Sequence, residues 1–311
     1  AQDPQIPGEF QHDQDDHRLA AASGLAIAAP LAAQQAGHAG HAGHAGHAMK
    51  GGAVDEAHIK DTAHFMKEHG AQLSAAINHP SRAEDRQRDS QRHPAETLAF
   101  FHVGPHMKVG EYSPGGGWYT EILAPAMKGN GKYVAGLANP LASVNAAKSV
   151  ENFKTKYADK AIYGDIGVGT FGKGVADIVE PGRADVVLTF RNVHNWHMSG
   201  WDQEAFNAFF KALKPGGTLG VVEHRLPEGR PDADMKKSGY MKVSHVKMLA
   251  EKAGFKLAGS SEVNANPKDT KDYADGVWTL PPTFAKGDVD RAKFAAIGES
   301  DRMTLKFVKP K

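Results

Sequence analysis

Strand and helix patterns alternate along residues 106–308, and this alternation constrains the fold more than any other feature of the sequence. Residues 184–190 (ADVVLTF) form a continuous apolar run with branched side chains, which is typical of a strand buried on both faces. Residues 203–213 form an amphipathic helix pattern that ends at a Pro-Gly-Gly sequence. Alternation of this kind predicts an α/β fold with a doubly wound, mostly parallel sheet and helices on both faces.

We expect seven strands and four helices within this part of the chain. The predicted strands are His106–Tyr112, Lys132–Leu137, Lys160–Tyr163, Ala184–Phe190, Thr218–Glu223, Phe255–Val263 and Met303–Val308. The predicted helices are Trp118–Met127, Leu141–Tyr157, Gln203–Leu213 and Ser244–Ala253.

The composition argues against several classes of protein. The chain has no cysteine, which excludes disulfides, thiolate metal sites and a cysteine nucleophile. Lys+Arg (37) and Asp+Glu (36) are balanced, so we expect no nucleic-acid partner. The mean hydropathy is −0.47, and no run approaches the ~20 apolar residues that span a bilayer, so we expect no integral membrane segment.

The N-terminal residues resemble an export signal. Arg18 precedes an apolar run of about 13 residues that ends in small residues before Gln34, and this order is typical of a secretory signal. The run is too short for a transmembrane helix. We therefore predict export to the periplasm. The alternative is an Ala-rich leader without a signal function, in which case we expect a cytoplasmic protein.

A histidine repeat follows the leader. GHAGHAGHAGHA places an imidazole at every third position and offers no side chain large enough to form a core, so we expect disorder. Imidazoles at this spacing chelate Ni²⁺, Cu²⁺ or Zn²⁺ opportunistically. The alternative is a solvated linker with no metal. The four candidate metal ligands are His38, His41, His44 and His47.

Three segments describe the predicted domain organisation. Residues 1–54 contain the leader and the repeat, and residues 55–94 form an N-terminal helical extension in which Ser81–Arg92 is a charged, exposed helix. Residues 95–311 form the α/β domain, with a loop insertion at about 264–300 that is either a binding element or a surface excursion.

The ends of the predicted strands indicate where a ligand binds, because ligands of such sheets lie outside the carboxyl ends of the strands. The first strand leads into Ser-Pro-Gly-Gly-Gly at 113–117, which is either a ligand cradle or simply a tight turn. The loop lacks the P-loop pattern, so hydrolysis of nucleoside triphosphates is not expected. It also lacks the third glycine of a dinucleotide fingerprint, and no carboxylate ends the second strand.

Histidines follow the fourth and fifth predicted strands. His194 is the preferred general base and His224 the alternate, because an imidazole titrates near neutral pH. A purely structural role for either histidine remains open. His194, His197, Glu223 and His224 are also a weaker candidate metal site.

These motifs together resemble the class I S-adenosylmethionine-dependent methyltransferases, and within them an exported bacterial group, over residues 95–263 and the last strand. Glu111 to Gly117 is similar to the first motif of that family, ADVVLTFRNVHNW to its fourth-strand motif and ALKPGGTLGVVEHR to its fifth strand. The resemblance implies the strand order 3-2-1-4-5-7-6 with the last strand antiparallel. It also implies cofactor contacts by the residues Glu111, Ser113, Gly115, Gly117, Asn139, Asp165, Arg191 and Asn192.

Two functions follow from this sequence. The first is methyl transfer from S-adenosylmethionine to a small-molecule acceptor. The second is a non-catalytic, exported binding protein on the same fold, associated with a metal through the histidine repeat. Leu137 favours the second, because the family has an acidic residue there, and Asn139 is its only nearby substitute. The glycine loop, Asp165 and the fourth-strand motif favour the first.

Overall fold

The computed structural model describes residues 52–311, and their secondary structure follows the predicted alternation. The helices are α1 (Gly52–Ile77), α2 (Asp89–Arg92), α3 (Pro94–Phe100), α4 (Thr120–Met127), α5 (Val144–Lys156), α6 (Lys160–Tyr163), α7 (Val193–Met198), α8 (Asp202–Ala212), α9 (Ala233–Ser238), α10 (Val243–Ala253) and α11 (Arg291–Ile297). The strands are β1 (Lys108–Tyr112), β2 (Lys132–Leu137), β3 (Gly167–Gly172), β4 (Val175–Asp177), β5 (Ala184–Phe190), β6 (Leu213–Leu226), β7 (Met241–Lys242), β8 (Lys256–Ser261) and β9 (Arg302–Val308). Short 3-10 turns cover Pro80–Arg82, Asp85–Arg88 and Gly276–Thr279.

The strands form one mixed sheet in the order β4-β3-β2-β1-β5-β6-β9-β8. Strands β3, β2, β1, β5 and β6 are parallel, whereas β9 runs antiparallel to both β6 and β8. The expected α/β fold with an antiparallel last strand is therefore confirmed, although the strand count and order differ in detail from those expected. The structure adds two short strands, with β4 antiparallel to β3 at one edge and β7 beside the end of β6.

The residues of the central strand β5 enter two different cores, one on each face of the sheet. Val186, Leu188 and Phe190 of β5 pack with α1, α3, α4, α5 and α6 on the first face. Val187 and Ala184 belong to the second core, with α7, α8 and α10. Burial on both faces explains the continuous apolar run of this strand. The carboxyl end of β5 is consequently fixed at the centre of the sheet edge.

The prediction of a strand at Lys160–Tyr163 is wrong. These residues form α6, because Asp159 accepts a hydrogen bond from the Ala161 N–H at 2.8 Å and caps a helical turn. The third strand instead begins at Gly167, next to Val134 of β2. The residues directly before Gly167 therefore lie at the amino edge of the sheet.

The prediction of an exposed helix at Ser81–Arg92 is also wrong. The segment forms two 3-10 turns and the four-residue helix α2. The side chains of Arg82 and Arg92 are 0% and 1% exposed. Each guanidinium lies over the indole of Trp118, at 5.0 and 4.7 Å from the ring centroid. Charge alone predicts exposure, but these arginines are buried because aromatic and carboxylate partners surround them.

The leader and the histidine repeat lie outside the described residues, so export and metal binding by His38–His47 stay predictions. Among residues 52–311, no helix combines the length and the apolar character that crossing a bilayer requires.

Helix α1 belongs to the first core, and we predict that it unfolds together with the sheet. Leu73 is fully buried there, and Gln72 donates a hydrogen bond to the Ala126 carbonyl of α4 at 3.2 Å. We expect Leu73→Ala to lower the free energy of unfolding by about 2–5 kcal/mol, because the cavity it leaves lies between packed helices. Urea unfolding measures this, with the exposed Lys67→Ala as the control. An unchanged midpoint for Leu73→Ala would mean that α1 is not part of the cooperative unit.

Candidate functional site

The carboxyl ends of three central strands and the start of β9 form one edge, and most of the candidate residues lie there. The glycine loop follows β1, Arg191 and Asn192 follow β5, and His224 lies near the end of β6. His224 pairs with Arg302 of β9 in the antiparallel register. Segments that are distant in sequence therefore meet at this edge, as expected for a doubly wound sheet.

The glycine loop is held in a strained, left-handed conformation. Ser113, Gly115 and Gly117 have φ angles of 59°, 58° and 83°. The Asn192 side-chain amide donates to the Ser113 and Tyr112 carbonyls at 2.9 and 3.2 Å and so fixes the start of the loop. The Asn192 side chain therefore holds the loop by its backbone carbonyls.

The two glycines that the sequence singled out have different surroundings. A Cβ at Gly115 would meet no atom within 4 Å, so the space above this residue is open to a ligand. A Cβ at Gly117 would lie 2.1 Å from the Tyr157 hydroxyl, which is 3.0 Å from the Gly116 and Gly117 carbonyls. Gly117 is thus required by internal packing, whereas Gly115 faces free space.

Glu111 points into the first core instead of toward the open side of the loop. Its side chain is 2% exposed, and the hydroxyls of Tyr133 and Thr120 donate to its Oε2 at 2.6 and 3.5 Å. Burial raises the pKa of Glu111 to about 7 even though both hydrogen bonds act in the opposite direction. The carboxyl group therefore titrates near neutral pH inside the protein.

The structure does not bring Asp165 to the loop, and the side chain of Asn139 is bonded within its own turn. Asp165 precedes β3, so it lies at the amino edge, where it is 84% exposed and pairs with Lys160 at 2.7 Å. Its predicted cofactor contact depended on the misassigned third strand. Asn139 follows β2 at the correct edge, but its Oδ1 accepts from the Leu141 N–H at 3.0 Å in an exposed turn. Leu137 is buried at the end of β2.

His194 and Glu223 form a buried hydrogen-bonded pair. Glu223 is fully buried, and its Oε1 lies 3.0 Å from Nδ1 of His194. The backbone N–H groups of His194 and His224 also donate to this carboxylate, at 3.3 and 2.8 Å. A carboxylate acceptor favours the tautomer with the proton on Nδ1, which leaves Nε2 of His194 as the basic nitrogen.

His224 lies beside this pair and is neutral. The two imidazole centroids are 5.2 Å apart, and Nδ1 of His224 is 2.5 Å from the Ser300 hydroxyl. Burial, and then the charges of His194 and Arg191, hold the pKa of His224 well below its usual range. An imidazole with so low a pKa is a weak base, which argues against His224 in that role.

The four residues of the predicted metal site separate into two groups. His194, Glu223 and His224 have ligand atoms within 4.8 Å of one another, and so do His197, Asp202 and His245. In the second group, Oδ2 of Asp202 lies 2.7 Å from His197 and 2.9 Å from His245. Burial raises the pKa of Asp202, but the hydrogen bonds from His245 and His197 outweigh this effect and lower the pKa to about 2. This group joins α7, α8 and α10 on the second face.

Four arginines surround the carboxylate of Glu299. We call Glu299 and these arginines, which are Arg88, Arg92, Arg191 and Arg302, the arginine cluster. Arg88 and Arg302 each donate to Glu299 within 2.9 Å, Arg92 does so at 3.0 Å, and Arg191 lies at 3.5 Å. Burial would raise the pKa of Glu299, but the arginine charges outweigh it and hold the pKa well below the usual range. Burial lowers the pKa of Arg191 to about 10.

The insertion at 264–300 is an ordered part of this edge. Asn264 donates to the hydroxyls of Thr97 and Thr304 at 3.0 Å, and Asn266 donates to the Glu299 carbonyl. Trp278 lies 6.1 Å from the His194 ring. The insertion therefore supplies Glu299 and Ser300 to the site.

Sequence reasoning missed the main charged residues of the edge. Arg88 and Arg92 lie in a segment interpreted as solvent-exposed, and Glu299 lies in a loop without a recognisable motif. The available signal was the spacing of the arginines at 82, 88 and 92 beside an apolar helix. Arg302, at the start of the last strand, is only 3% exposed.

Comparisons with known proteins agree on the fold. The crystal structure of the [4+2]-cyclase SpnF is similar at a TM-score of 0.52 and 16% sequence identity, over 75% of this chain and 86% of that one. A methyltransferase from Aquifex aeolicus that depends on S-adenosylmethionine has a TM-score of 0.48 at 13% identity, over 80% and 98% of the two chains. The carbon methyltransferase CurJ has a TM-score of 0.46 at 13% identity, over 83% and 68%. No protein-family model and no curated protein sequence matches the chain.

The raised pKa of Glu111 predicts a pH dependence of stability. Between the unfolded pKa near 4.5 and the folded pKa of about 7, the native state binds the extra proton, so stability falls as pH rises through this window. Glu111→Gln imitates the protonated form, and we expect it to remove a loss of up to about 3 kcal/mol between pH 5 and 8. Urea unfolding at both pH values measures this, with the exposed Glu151→Gln as the control. A wild-type protein with equal stability at both pH values would contradict the prediction.

Proposed function

We propose that this chain, which has the fold of the class I S-adenosylmethionine-dependent methyltransferases, transfers a methyl group from S-adenosylmethionine to a small-molecule acceptor. The observation that carries the proposal is that the open glycine loop and the buried His194–Glu223 pair lie on the same edge of the sheet. The glycine loop suits binding of the cofactor, and the His194–Glu223 pair suits removal of a proton from the acceptor.

The loop offers space for the methionine end of the cofactor. Gly115 faces free space, and the left-handed backbone around it is fixed by Asn192. The ribose end has a poorer anchor, since Leu137 replaces the usual carboxylate and Asn139 is bonded within its own turn. Charge-assisted hydrogen bonds are roughly twice as strong as neutral ones, so we expect weaker cofactor binding than in relatives with that carboxylate.

His194 is the proposed general base. S-adenosylmethionine would supply a methyl carbon on its sulfonium sulfur. As a nucleophilic atom of the acceptor bonded to this carbon, the carbon–sulfur bond would break, S-adenosylhomocysteine would leave, and the acceptor would release a proton. Nε2 of His194 takes the proton, and Glu223 stabilises the resulting imidazolium through Nδ1. Glu223 is therefore a positioning residue. Burial of both groups keeps water from competing for the proton.

Cofactor binding at Gly115 can be tested with a matched pair of variants. We expect Gly115→Asn to weaken binding of S-adenosylhomocysteine at least tenfold, because the new side chain enters the open space while asparagine tolerates the left-handed conformation. Gly129→Asn is the control, since Gly129 also has a positive φ and free space but lies at the amino edge. Isothermal titration calorimetry gives both affinities. Absence of binding to the wild-type chain would instead favour the non-catalytic alternative.

An acceptor can be found by assaying release of S-adenosylhomocysteine, and the same assay then tests His194 as the base. We expect His194→Ala to lower kcat by roughly 10²–10⁴-fold with little change in cofactor affinity. Glu223→Gln should shift the pH–rate profile, because the amide cannot stabilise the imidazolium. His245→Ala is a control, since His245 lies in the separate group on the second face. Equal activity of His194→Ala and wild type would exclude His194 as the base.

A further inference from the structure

The arginine cluster holds more positive charge than its carboxylate neutralises. Four guanidinium groups face the single carboxylate of Glu299. Arg92 and Arg302 are almost fully buried, at 1% and 3% exposure. Buried like charges without compensation are strongly unfavourable, so a cluster of this kind is expected to have an anionic partner.

Unused hydrogen-bond donors accompany the excess charge. Among the described residues, Nη1 and Nη2 of Arg92 and Nε of Arg302 are buried and have no hydrogen-bond partner. Buried donors are nearly always paired, and each unpaired one costs about 1–3 kcal/mol. Guanidinium groups match carboxylate and phosphate oxygens in geometry, so these donors suit an oxyanion.

A second ion-pair network at the same edge has balanced charges. Arg225 bonds to both Asp301 and Glu262, and Lys271 also pairs with Asp301. Two positive charges there meet two negative ones. The charges in this second network, which connects loops and strands, therefore balance, unlike those of the arginine cluster.

The cluster is accessible from solvent and lies next to the proposed base. The side chains of Arg88 and Arg191 are 24% and 25% exposed, which gives an approach to the buried donors. Ser300, which follows Glu299, contacts His224, and His224 lies beside His194. An oxyanion at the cluster would thus place the rest of a small molecule on the side of the cluster where His224 and the His194–Glu223 pair lie.

We infer that the arginine cluster binds a carboxylate or phosphate group of the methyl acceptor. This assignment rests on the proposed function, whereas binding of an oxyanion to the cluster does not. The acceptor is favoured over the cofactor as the source of the oxyanion, because the sulfonium of S-adenosylmethionine is itself a cation and is repelled by four guanidinium groups. The acceptor class is therefore a small anionic molecule with a nucleophilic atom beyond its acidic group.

Calorimetric titration of the full chain with inorganic phosphate or malonate at pH 8 tests the cluster, with chloride at equal ionic strength as the reference. We expect saturable binding that Arg191→Gln weakens about tenfold or more. The exposed Arg183→Gln, outside the cluster, should bind like wild type. Glu299→Gln should bind phosphate more tightly than wild type, and phosphate should raise its melting temperature more. If Arg191→Gln is unfolded by circular dichroism, Arg88→Gln replaces it. No saturable binding to the wild-type chain would overturn the inference.

A second titration, in saturating S-adenosylhomocysteine, identifies the source of the oxyanion. Unchanged phosphate affinity supports the acceptor, since both molecules then bind together. Competition between them would assign the cluster to the methionine carboxylate of the cofactor and overturn the acceptor assignment. If phosphate binds but S-adenosylhomocysteine does not, the proposed function and the acceptor assignment fail together, while the oxyanion site stands.

Discussion

The carboxylate of Glu299 joins three parts of the chain that are far apart in sequence. It receives hydrogen bonds from Arg88 and Arg92 of the N-terminal segment and from Arg302 at the start of β9, and it lies near Arg191 after β5. These contacts hold the N-terminal segment against the carboxyl edge of the sheet. Trp118, which follows the glycine loop, in turn contacts the guanidinium groups of Arg82 and Arg92. The walls of the candidate site therefore depend on one buried acidic residue.

The fold was largely predictable because it depends on periodicity and on burial. The run at 184–190 and the helix at 202–212 differ from their predicted bounds by one residue at most, since each has a strong apolar pattern that tertiary contacts reinforce. The third strand was not predictable in the same way. Residues 167–172 (GVGTFG) contain three glycines and lie near the sheet edge, so they have no apolar run, whereas Lys160–Tyr163 imitates one.

The candidate site was predictable only where backbone topology determines it. His194, His224, Arg191 and the glycine loop follow strands that the sequence identifies, and the structure brings them to one edge. Glu299 and Arg92 meet through long-range packing over 207 positions, which no local pattern encodes. A buried arginine and an exposed one have the same sequence signature, and only the partners decide between them.

The electrostatics of the edge select for a negatively charged ligand. Glu111 is turned into the first core with a pKa of about 7, Glu223 is occupied by His194, and Glu299 is shared by four arginines. Leu137 stands where a carboxylate would anchor ribose hydroxyls. The carboxyl groups of Glu111, Glu223 and Glu299 are thus all buried and already hydrogen-bonded within the protein, while the guanidinium donors of Arg92 stay unpaired. A site that binds a cation has excess negative charge, whereas this edge has excess positive charge. A cofactor with a sulfonium would therefore be bound more favourably when an anionic acceptor is already in place. Binding of the two substrates is then expected to be cooperative, with the acceptor as the partner that neutralises the site.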